Sequence, residues 1–534
     1  MNAFASALGD LASTASEKSA DVLAASPVAS GHAPVIAYGA WGLAVWALVG
    51  VYVILVAVLA CFGMHRGMLV TTCWRKAKKL KEIERTIDVP EDELPRVTIQ
   101  LPLFNEVTVT ERLIEKVALM DYPADRLHIQ VLDDSTDETA SMARNVCARI
   151  AATGVDIEYI HRVDRTGYKA GALANGLKTA KGELVAIFDA DFLPEPDFLR
   201  RIVGNFRDPK IGCVQARWGH LNREYSMLTR VQALMLDGHH LVDNRARWAN
   251  GMFFNFSGTG GIWRIKAIEE AGGWEHDTLT EDLDLSYRAQ MKGWKFIYRP
   301  DIVTPSELPE EMSAFRAQQF RWAKGTVQSA RKMLKTIWDA PQLPLAQKIE
   351  ATYHLTPHFT SPLMLVLSVL LLPMLAILPG TDPRSMFLID LPLALSTTGS
   401  LAAFYMHAES AQGRSALVAL RRLPALMALG TGMAPWVTKA VLEGLRSMAG
   451  EFVRTPKKGN EGDRYRATIK VPFAEVVLSL ISLASTIAAL QNGHWFAAPF
   501  AALFCFGYGY VATLLIDEQL ERRRAERRSL VPVP

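Results

Sequence analysis

Between Trp41 and Gly63 the chain runs for 23 residues without a charged side chain. A helix of that length crosses the hydrocarbon core of a bilayer, and the run is too long and too far from the N-terminus for a signal peptide. His65, Arg66 and the stretch WRKAKKLKEIER (74–85) follow it directly. The positive-inside rule places this basic cluster in the cytoplasm. The tail 1–35, with Asp10, Glu17 and Asp21 against Lys18, then lies outside. Further apolar runs stand at 359–380, 386–407, 472–493 and 495–516, and the basic tail 518–534 returns to the cytoplasm. Residues 417–446 are apolar but carry Arg421, Arg422 and Lys439. If they spanned, the seven basic residues from Arg446 to Lys470 would lie outside, so the segment reads as a helix in the cytoplasmic interface. The expected organisation is a first span at 36–63, a basic linker at 64–94, a soluble domain at 95–350 and a membrane region at 351–517. That makes about five spans with interfacial helices.

The charge content of 21% is too high for a chain that is all membrane, which agrees with one soluble domain plus spans. A net charge of +3 does not suggest nucleic-acid binding. The five cysteines form no CxxC pair, so neither a disulfide framework nor a zinc site is expected.

Within the soluble part, β-branched runs at 96–106, 127–138, 155–162, 183–192 and 211–218 alternate with helix-like stretches at 107–120, 139–152, 169–180 and 195–206. That alternation predicts a parallel sheet in a doubly wound, Rossmann-like α/β domain. Ligands of such domains bind beyond the carboxyl ends of the strands, and acids stand there in this chain.

Asp189-Ala190-Asp191 closes one run, and strand alternation puts both carboxylates on one side. Paired carboxylates repel unless a cation lies between them, and a hard divalent ion with substrate phosphates answers that need. Capping of the next helix is the plainer reading of the same pair. Asp133 and Asp134 end a second strand. One suits a nucleotide base or ribose and the other metal support, while Ser135, Thr136 and Asp137 read as caps. Lys169, among small residues at a helix start, suits phosphate oxygens. Glu281, Asp282 and Asp284 open a helix, where acids complement the dipole. Asp282 there also reads as a general base for a sugar hydroxyl. Gln318, Arg321 and Trp322 in QQFRW stand ahead of the second apolar run. Trp322 offers a sugar ring an apolar face and Arg321 pairs with diphosphate oxygens, or both serve as membrane-interface anchors.

The ordered set DD, DAD, TED, QQFRW and membrane spans resembles the processive membrane glycosyltransferases of family 2, the group of cellulose, chitin and hyaluronan synthases. QVLDDSTD, RTGYKAGAL, FDADFLPEPDFLRR, VQARW, GTGGIWR, EAGGW and SELP look most like the cellulose synthase-like A proteins, which make β-1,4-mannan and glucomannan. The resemblance implies a GT-A fold and an inverting, processive transfer from GDP-mannose or UDP-glucose to a growing polysaccharide, with Mg²⁺ or Mn²⁺. It implies that Phe104, Glu106, Asp133 and Asp134 line the base pocket and that Lys169 approaches the diphosphate. Asp189 and Asp191 would serve diphosphate and metal, Glu281 and Asp282 belong to the catalytic TED, and Gln318, Arg321 and Trp322 form the Q-x-x-R-W set. FSGT (256–259) is similar to the acceptor-side F-C-G-S, with Ser257 for the cysteine. FVRTPK (452–457) resembles a gating loop, in which Phe452, Thr455 and Lys457 match and Arg454 departs. A bacterial inner membrane is the expected location, with the catalytic domain in the cytoplasm. The alternatives are a transferase that adds one sugar to a lipid, and a non-enzymatic membrane scaffold.

Overall fold

The computed structural model describes residues 33–377, 394–448, 450 and 471–529. The tail up to residue 32, the start of the run 386–407, and Phe452, Thr455 and Lys457 lie outside the described residues. A long apolar helix, α1 (Ala33–Arg75), leads into the soluble domain. The domain's strands are β1 (Val97–Leu103), β2 (Leu127–Asp133), β3 (Ile157–His161), β4 (Leu184–Ile187), β5 (Ile211–His220), β6 (Gly261–Arg264) and β7 (Lys295–Ser306). Its longer helices are α2 (Val107–Ala118), α3 (Glu138–Ala151), α4 (Tyr168–Leu177), α5 (Met227–Gly238), α6 (Glu281–Met291), α7 (Met312–Asp339) and α8 (Leu345–Leu355). The membrane region holds α9 (Thr360–Ile377), α10 (Ser400–Ser410), α11 (Ala416–Gly432), α12 (Ala434–Arg446), α13 (Phe473–Gln491) and α14 (Ala497–Ser529).

The seven strands lie in the order β3-β2-β1-β4-β6-β5-β7. β3, β2, β1 and β4 are mutually parallel, as the alternating pattern predicts. All seven residues of β2 are buried, because helices cover both faces of a parallel sheet. Three of those residues are polar, His128, Gln130 and Asp133, and Gln130 is satisfied inside by Gln100 Nε2 at 3.0 Å. Beyond β4 the sheet departs from a purely parallel one. β6 enters antiparallel to both β4 and β5, making the mixed sheet of a GT-A domain. With four residues and two glycines beside it, β6 is too short to announce itself by alternation. The crevice therefore opens where the loops after β1, β2 and β4 face the loop that leads into β6.

Among the described residues, four helices are long and apolar enough to cross a membrane: Gly42–Arg75, Pro357–Leu375, Phe473–Gln491 and Ala497–Arg524. The segment read as one interfacial helix at 417–446 is two helices, α11 and α12, bent by 47°. Pro435 sits in the first turn of α12, where its missing N–H costs nothing and no α11 bond has to continue. The pair makes a fifth span if it crosses as a unit. The described part of the run 386–407 consists of a short π-helical turn, Leu395–Gly399, and α10.

Small residues let these helices approach. A β-carbon at Gly432 of α11 would collide with the carbonyl oxygen of Gly507 in α14, and one at Gly507 would stand 2.7 Å from Ala428 O. Helices in lipid associate by such close backbone contact. Gly432→Leu should therefore cost about 1–3 kcal/mol. The checking measurement is the thermal midpoint of the detergent-solubilised protein, and an unchanged midpoint would contradict this packing.

Candidate active site

The first half of the site is built at the ends of β1 and β2. Asn105 takes a left-handed conformation (φ 54°), which an asparagine tolerates, and turns the chain back towards β2. Its backbone N–H donates to Ser135 Oγ at 2.8 Å, and its Oδ1 accepts from the Thr136 N–H at 2.8 Å. Asp133 is fully buried, with Oδ1 accepting from the Ser135 N–H (2.9 Å) and Oδ2 from the Tyr159 hydroxyl (2.7 Å). Both of its oxygens thus serve the protein itself. Asp137 caps α3 by accepting from the Thr139 N–H at 2.9 Å. Asp134 forms a two-pronged pair with Arg162, at 2.8 Å (Nε to Oδ1) and 2.5 Å (Nη2 to Oδ2). Arg162 also donates to the carbonyl of Tyr168 at 2.9 Å, which carries the connection into RTGYK. There the Arg165 guanidinium lies 3.3 Å from the ring centre of Phe104 and 4.9 Å from that of Tyr168.

The second half centres on Lys169, in the first turn of α4. Its ammonium donates to Asp189 Oδ1 (2.5 Å) and to the carbonyl of Gly258 (2.9 Å). Burial works against that charge, but Asp189, Glu281 and Asp282 outweigh it and hold the Lys169 pKa above its ordinary value. The Asp189 N–H donates to Thr259 Oγ1 at 2.9 Å. β4 ends at Ile187, so Asp189 and Asp191 stand on the turn beyond it, and strand alternation does not set their directions. Asp191 is nearly buried, whereas the Asp189 side chain is one-third exposed.

Gly258 lies between Lys169 and α6. It has φ +81°, and a β-carbon there would stand 3.0 Å from Asp282 Oδ2 and 3.5 Å from Lys169 Nζ. Only glycine gives this loop both the conformation and the clearance. The loop is held by Gln215, a fully buried residue of β5. Its Oε1 accepts from the Ser257 N–H (2.8 Å), and its Nε2 donates to the carbonyls of Thr259 (3.0 Å) and Gly260 (3.1 Å). Arg162 stands in no marked motif, and Gln215 and Thr259 stand in VQARW and FSGT without a role of their own there. The one available signal was a lone glutamine in the apolar strand IGCVQARW.

Glu281 and Asp282 open α6, where the helix dipole favours acids. Asp282 Oδ1 accepts from the Leu283 N–H at 2.8 Å. Burial, then the neighbouring Glu281, push the Asp282 carboxyl from 3.8 up to about 7, against the pull of Lys169. Burial raises Glu281 as well, opposed by Lys169 and Arg321. Arg321 on α7 is drawn below its usual range by burial, while Glu281, Asp189, Asp282 and Glu106 favour its charge. It remains a cation, as guanidinium does in proteins. Trp322, beside it, has its ring 6.4 Å from that of Trp218 on β5. Gln318 is half-buried one turn earlier on α7. Phe320 points elsewhere, with its ring 5.2 Å from that of Trp436 on α12.

The fold thus gathers Lys169, Asp189, Glu281, Asp282 and Arg321 at one place, with Glu106 within electrostatic reach of Arg321. Asp134 is tied to Lys169 through Arg162 and the backbone of Tyr168. Asp189 and Asp191 offer hard carboxylate oxygens on one turn. That donor chemistry fits a divalent cation shared with phosphates, because such ions take part of their coordination from the substrate.

The raised Asp282 carboxyl has a consequence for stability. The folded protein holds that proton more tightly than the unfolded chain, so stability falls as pH rises from 3.8 to about 7. Asp282→Asn removes this contribution, and the variant should melt at a higher temperature than the parent at about pH 8. Thermal midpoints of both proteins across pH check this, and identical pH profiles would contradict it.

Comparison with known proteins bears on the same residues. Residues 95–325 match the family described as glycosyltransferase like family 2. Glucomannan 4-beta-mannosyltransferase 2 of Arabidopsis thaliana is 44% identical over 306 residues, 55% of this chain and 57% of that protein. Glucomannan 4-beta-mannosyltransferase 1 of Oryza sativa subsp. japonica is 44% identical over 278 residues, 50% of this chain and 53% of that protein. The chain therefore spans little more than half the length of these two relatives. The namesake from Cyamopsis tetragonoloba is 32% identical over 450 residues, 79% of this chain and 82% of that protein. A solved structure, the mannosyltransferase PcManGT from Pyrobaculum calidifontis in complex with GDP-Man and Mn2+, is 24% identical. It covers 74% of this chain and 99% of its own, with a TM-score of 0.49. The three named relatives are plant proteins and lend no support to the expected bacterial inner membrane. The likeness to the Cyamopsis protein runs through the soluble domain and far into the membrane region. The chain belongs to glycosyltransferase family 2, in the cellulose synthase-like A group whose members are named glucomannan 4-beta-mannosyltransferase.

Proposed function

We propose that the chain is an inverting, processive hexosyltransferase that builds a β-linked mannan or glucomannan and passes it into the membrane helices. The relatives' names point to mannose as the transferred sugar, and on this reading the donor is GDP-mannose, with UDP-glucose as the second hexose donor. The observation that carries this reading is Asp282: a carboxyl pushed up to about 7, at the head of α6, next to a lysine–aspartate pair and a buried arginine.

In the proposed reaction the Asp282 carboxylate takes the proton of an acceptor hydroxyl as that oxygen attacks the anomeric carbon of the donor. The bond from that carbon to the diphosphate oxygen breaks, and the nucleoside diphosphate leaves with the negative charge. Efficient bases have a pKa near the working pH, and Asp282 meets that condition. Lys169 and Arg321 supply fixed positive charge where the leaving group gains its negative charge. A divalent cation held by Asp189 and Asp191, Mg²⁺ or Mn²⁺, would supply further charge neutralisation to the diphosphate. Phe104, Glu106 and Asp134, with Arg162 and Arg165, surround the nucleotide side. Trp322 and Trp218 provide apolar faces for the acceptor sugar, and Gln318 can hydrogen-bond its hydroxyls. The basic residues from Arg75 to Arg85 support a catalytic domain on the cytoplasmic side by the positive-inside rule.

Asp282→Asn should lower turnover by about 10²–10⁴-fold with the donor KM nearly unchanged, because the base acts on the acceptor. In the parent enzyme, kcat/KM should rise as pH rises through about 7. A variant that keeps its turnover would remove Asp282 from the mechanism. Trp322→Ala should shorten the product and slow elongation more than donor hydrolysis, and an equal loss of both would contradict the acceptor-side placement. Labelled donor with purified protein yields long polymer on this reading. A single labelled sugar on lipid would instead identify a non-processive enzyme.

A further inference from the structure

Helix α7 does more than display Gln318, Arg321 and Trp322. Arg321, Gly325, Gln328, Ser329 and Lys332 follow at intervals of four, three, one and three residues, which puts them on one side of the helix. The last four of them meet the segment 275–284 that leads into α6. A β-carbon on Gly325 would stand 2.6 Å from Thr280 Cγ2. Gln328 Oε1 accepts from the Leu279 N–H at 3.0 Å, and the hydroxyls of Ser329 and Thr280 are 3.1 Å apart. Lys332 Nζ lies 2.5 Å from Glu275 Oε2, 2.8 Å from Asp277 Oδ1 and 3.1 Å from Asp284 Oδ1.

The three carboxylates have oxygens within 4.8 Å of one another, a grouping that repels itself unless a cation stands inside it. The ammonium of Lys332 is placed to be that cation. Asp284 is fully buried, lies in the first turn of α6 two residues after Asp282, and gives its other oxygen to Arg288 Nε at 2.8 Å. Lys332 itself lies about 16 Å along the helix axis from Arg321, too far to touch reacting atoms.

We propose that Lys332 is a positioning residue of the transferase. By drawing Glu275, Asp277 and Asp284 onto the face of α7 that also bears Arg321, it sets the distance between Asp282 and the arginine and tryptophan of the motif. This inference rests on the transferase reading given above. It adds that the functional stripe of α7 runs four turns from QQFRW down to Lys332, with Gly325 left bare so that the TED segment can seat against it.

The test compares the parent, K332M, K332R and the triple variant E275Q/D277N/K332M, with GDP-mannose and UDP-glucose as donors and Mn²⁺ present. K332M leaves three carboxylates facing one another and should lose thermal stability. The triple variant relieves that repulsion and should regain the parent's thermal midpoint. It should still transfer sugar at least about tenfold more slowly, with donor KM within about twofold, because the clamp on the base is gone. K332R keeps the charge and should retain most of the turnover. A triple variant as fast as the parent overturns the proposal, and so does a loss that appears in donor KM instead of kcat. A parent enzyme inert with both donors overturns the transferase reading and this inference with it. An active parent beside an equally active triple variant overturns this inference alone.

Discussion

The ammonium of Lys169 holds the site together. Asp189 comes from the turn after β4 and Glu281 and Asp282 from the start of α6, and all three lie within its field. Three carboxylates brought this close in a partly dehydrated pocket repel one another, and burial raises the pKa of Glu281 and Asp282. One buried cation, hydrogen-bonded to Asp189 and to the Gly258 carbonyl, lets them converge. It does so incompletely, since Asp282 stays high. That raised pKa supports the role of base proposed for Asp282.

The demands of this cluster explain residues that touch no substrate. Gly258 is glycine because its φ is +81° and a β-carbon there would stand 3.0 Å from Asp282 Oδ2. Gln215 must be buried and polar, since its one amide ties Ser257, Thr259 and Gly260 to β5. α7 belongs to the site and to the membrane region at once. One face carries Arg321, while Phe320 packs on Trp436 and the Trp436 indole N–H donates to the Arg316 carbonyl at 2.9 Å. Arg316 in turn pairs with Glu475 of α13 at 3.2 Å. A second tie is ionic. Asp237 of α5 and Glu409 of α10 are both fully buried and share Arg414, at 2.9 Å and 2.6 Å. Buried ion pairs add little net stability but penalise any other arrangement of the groups they join. The catalytic domain is thereby held in one orientation against the membrane helices.

Much of the domain was legible from pattern. β1 to β4 fall inside the marked runs and β5 runs two residues past its own, because β-branched, mainly apolar stretches suit a sheet covered by helices. Most of the acids singled out do gather, because strand ends and helix starts are where a doubly wound fold collects polar groups. The failures are equally physical. β6 is too short to show a period. The DAD pair reads as strand by its pattern, yet it sits on the turn beyond β4. Asp133 looked the equal of Asp134, yet one carboxylate braces the interior and the other meets Arg162, a difference decided by Tyr159 and Ser135 from other elements. Segment 417–446 reads as one interfacial helix from its charges, whereas it is two helices that meet at Met433 with a bend of 47°.

From its own order of residues the chain determined which segments are apolar enough for a bilayer, which side carries the positive charge, and which acids stand at the ends of elements. Those properties are local, fixed by side-chain chemistry and by periods of two and 3.6 residues. Tertiary structure decided which acid faces a cation and which faces the core, that Lys169 and Lys332 each serve several carboxylates, and that α7 shows one face to the TED segment and another to α12. These outcomes depend on distances between residues far apart in the chain. Electrostatic energy in a buried site varies with distance and solvent exclusion, and neither quantity is written in sequence spacing.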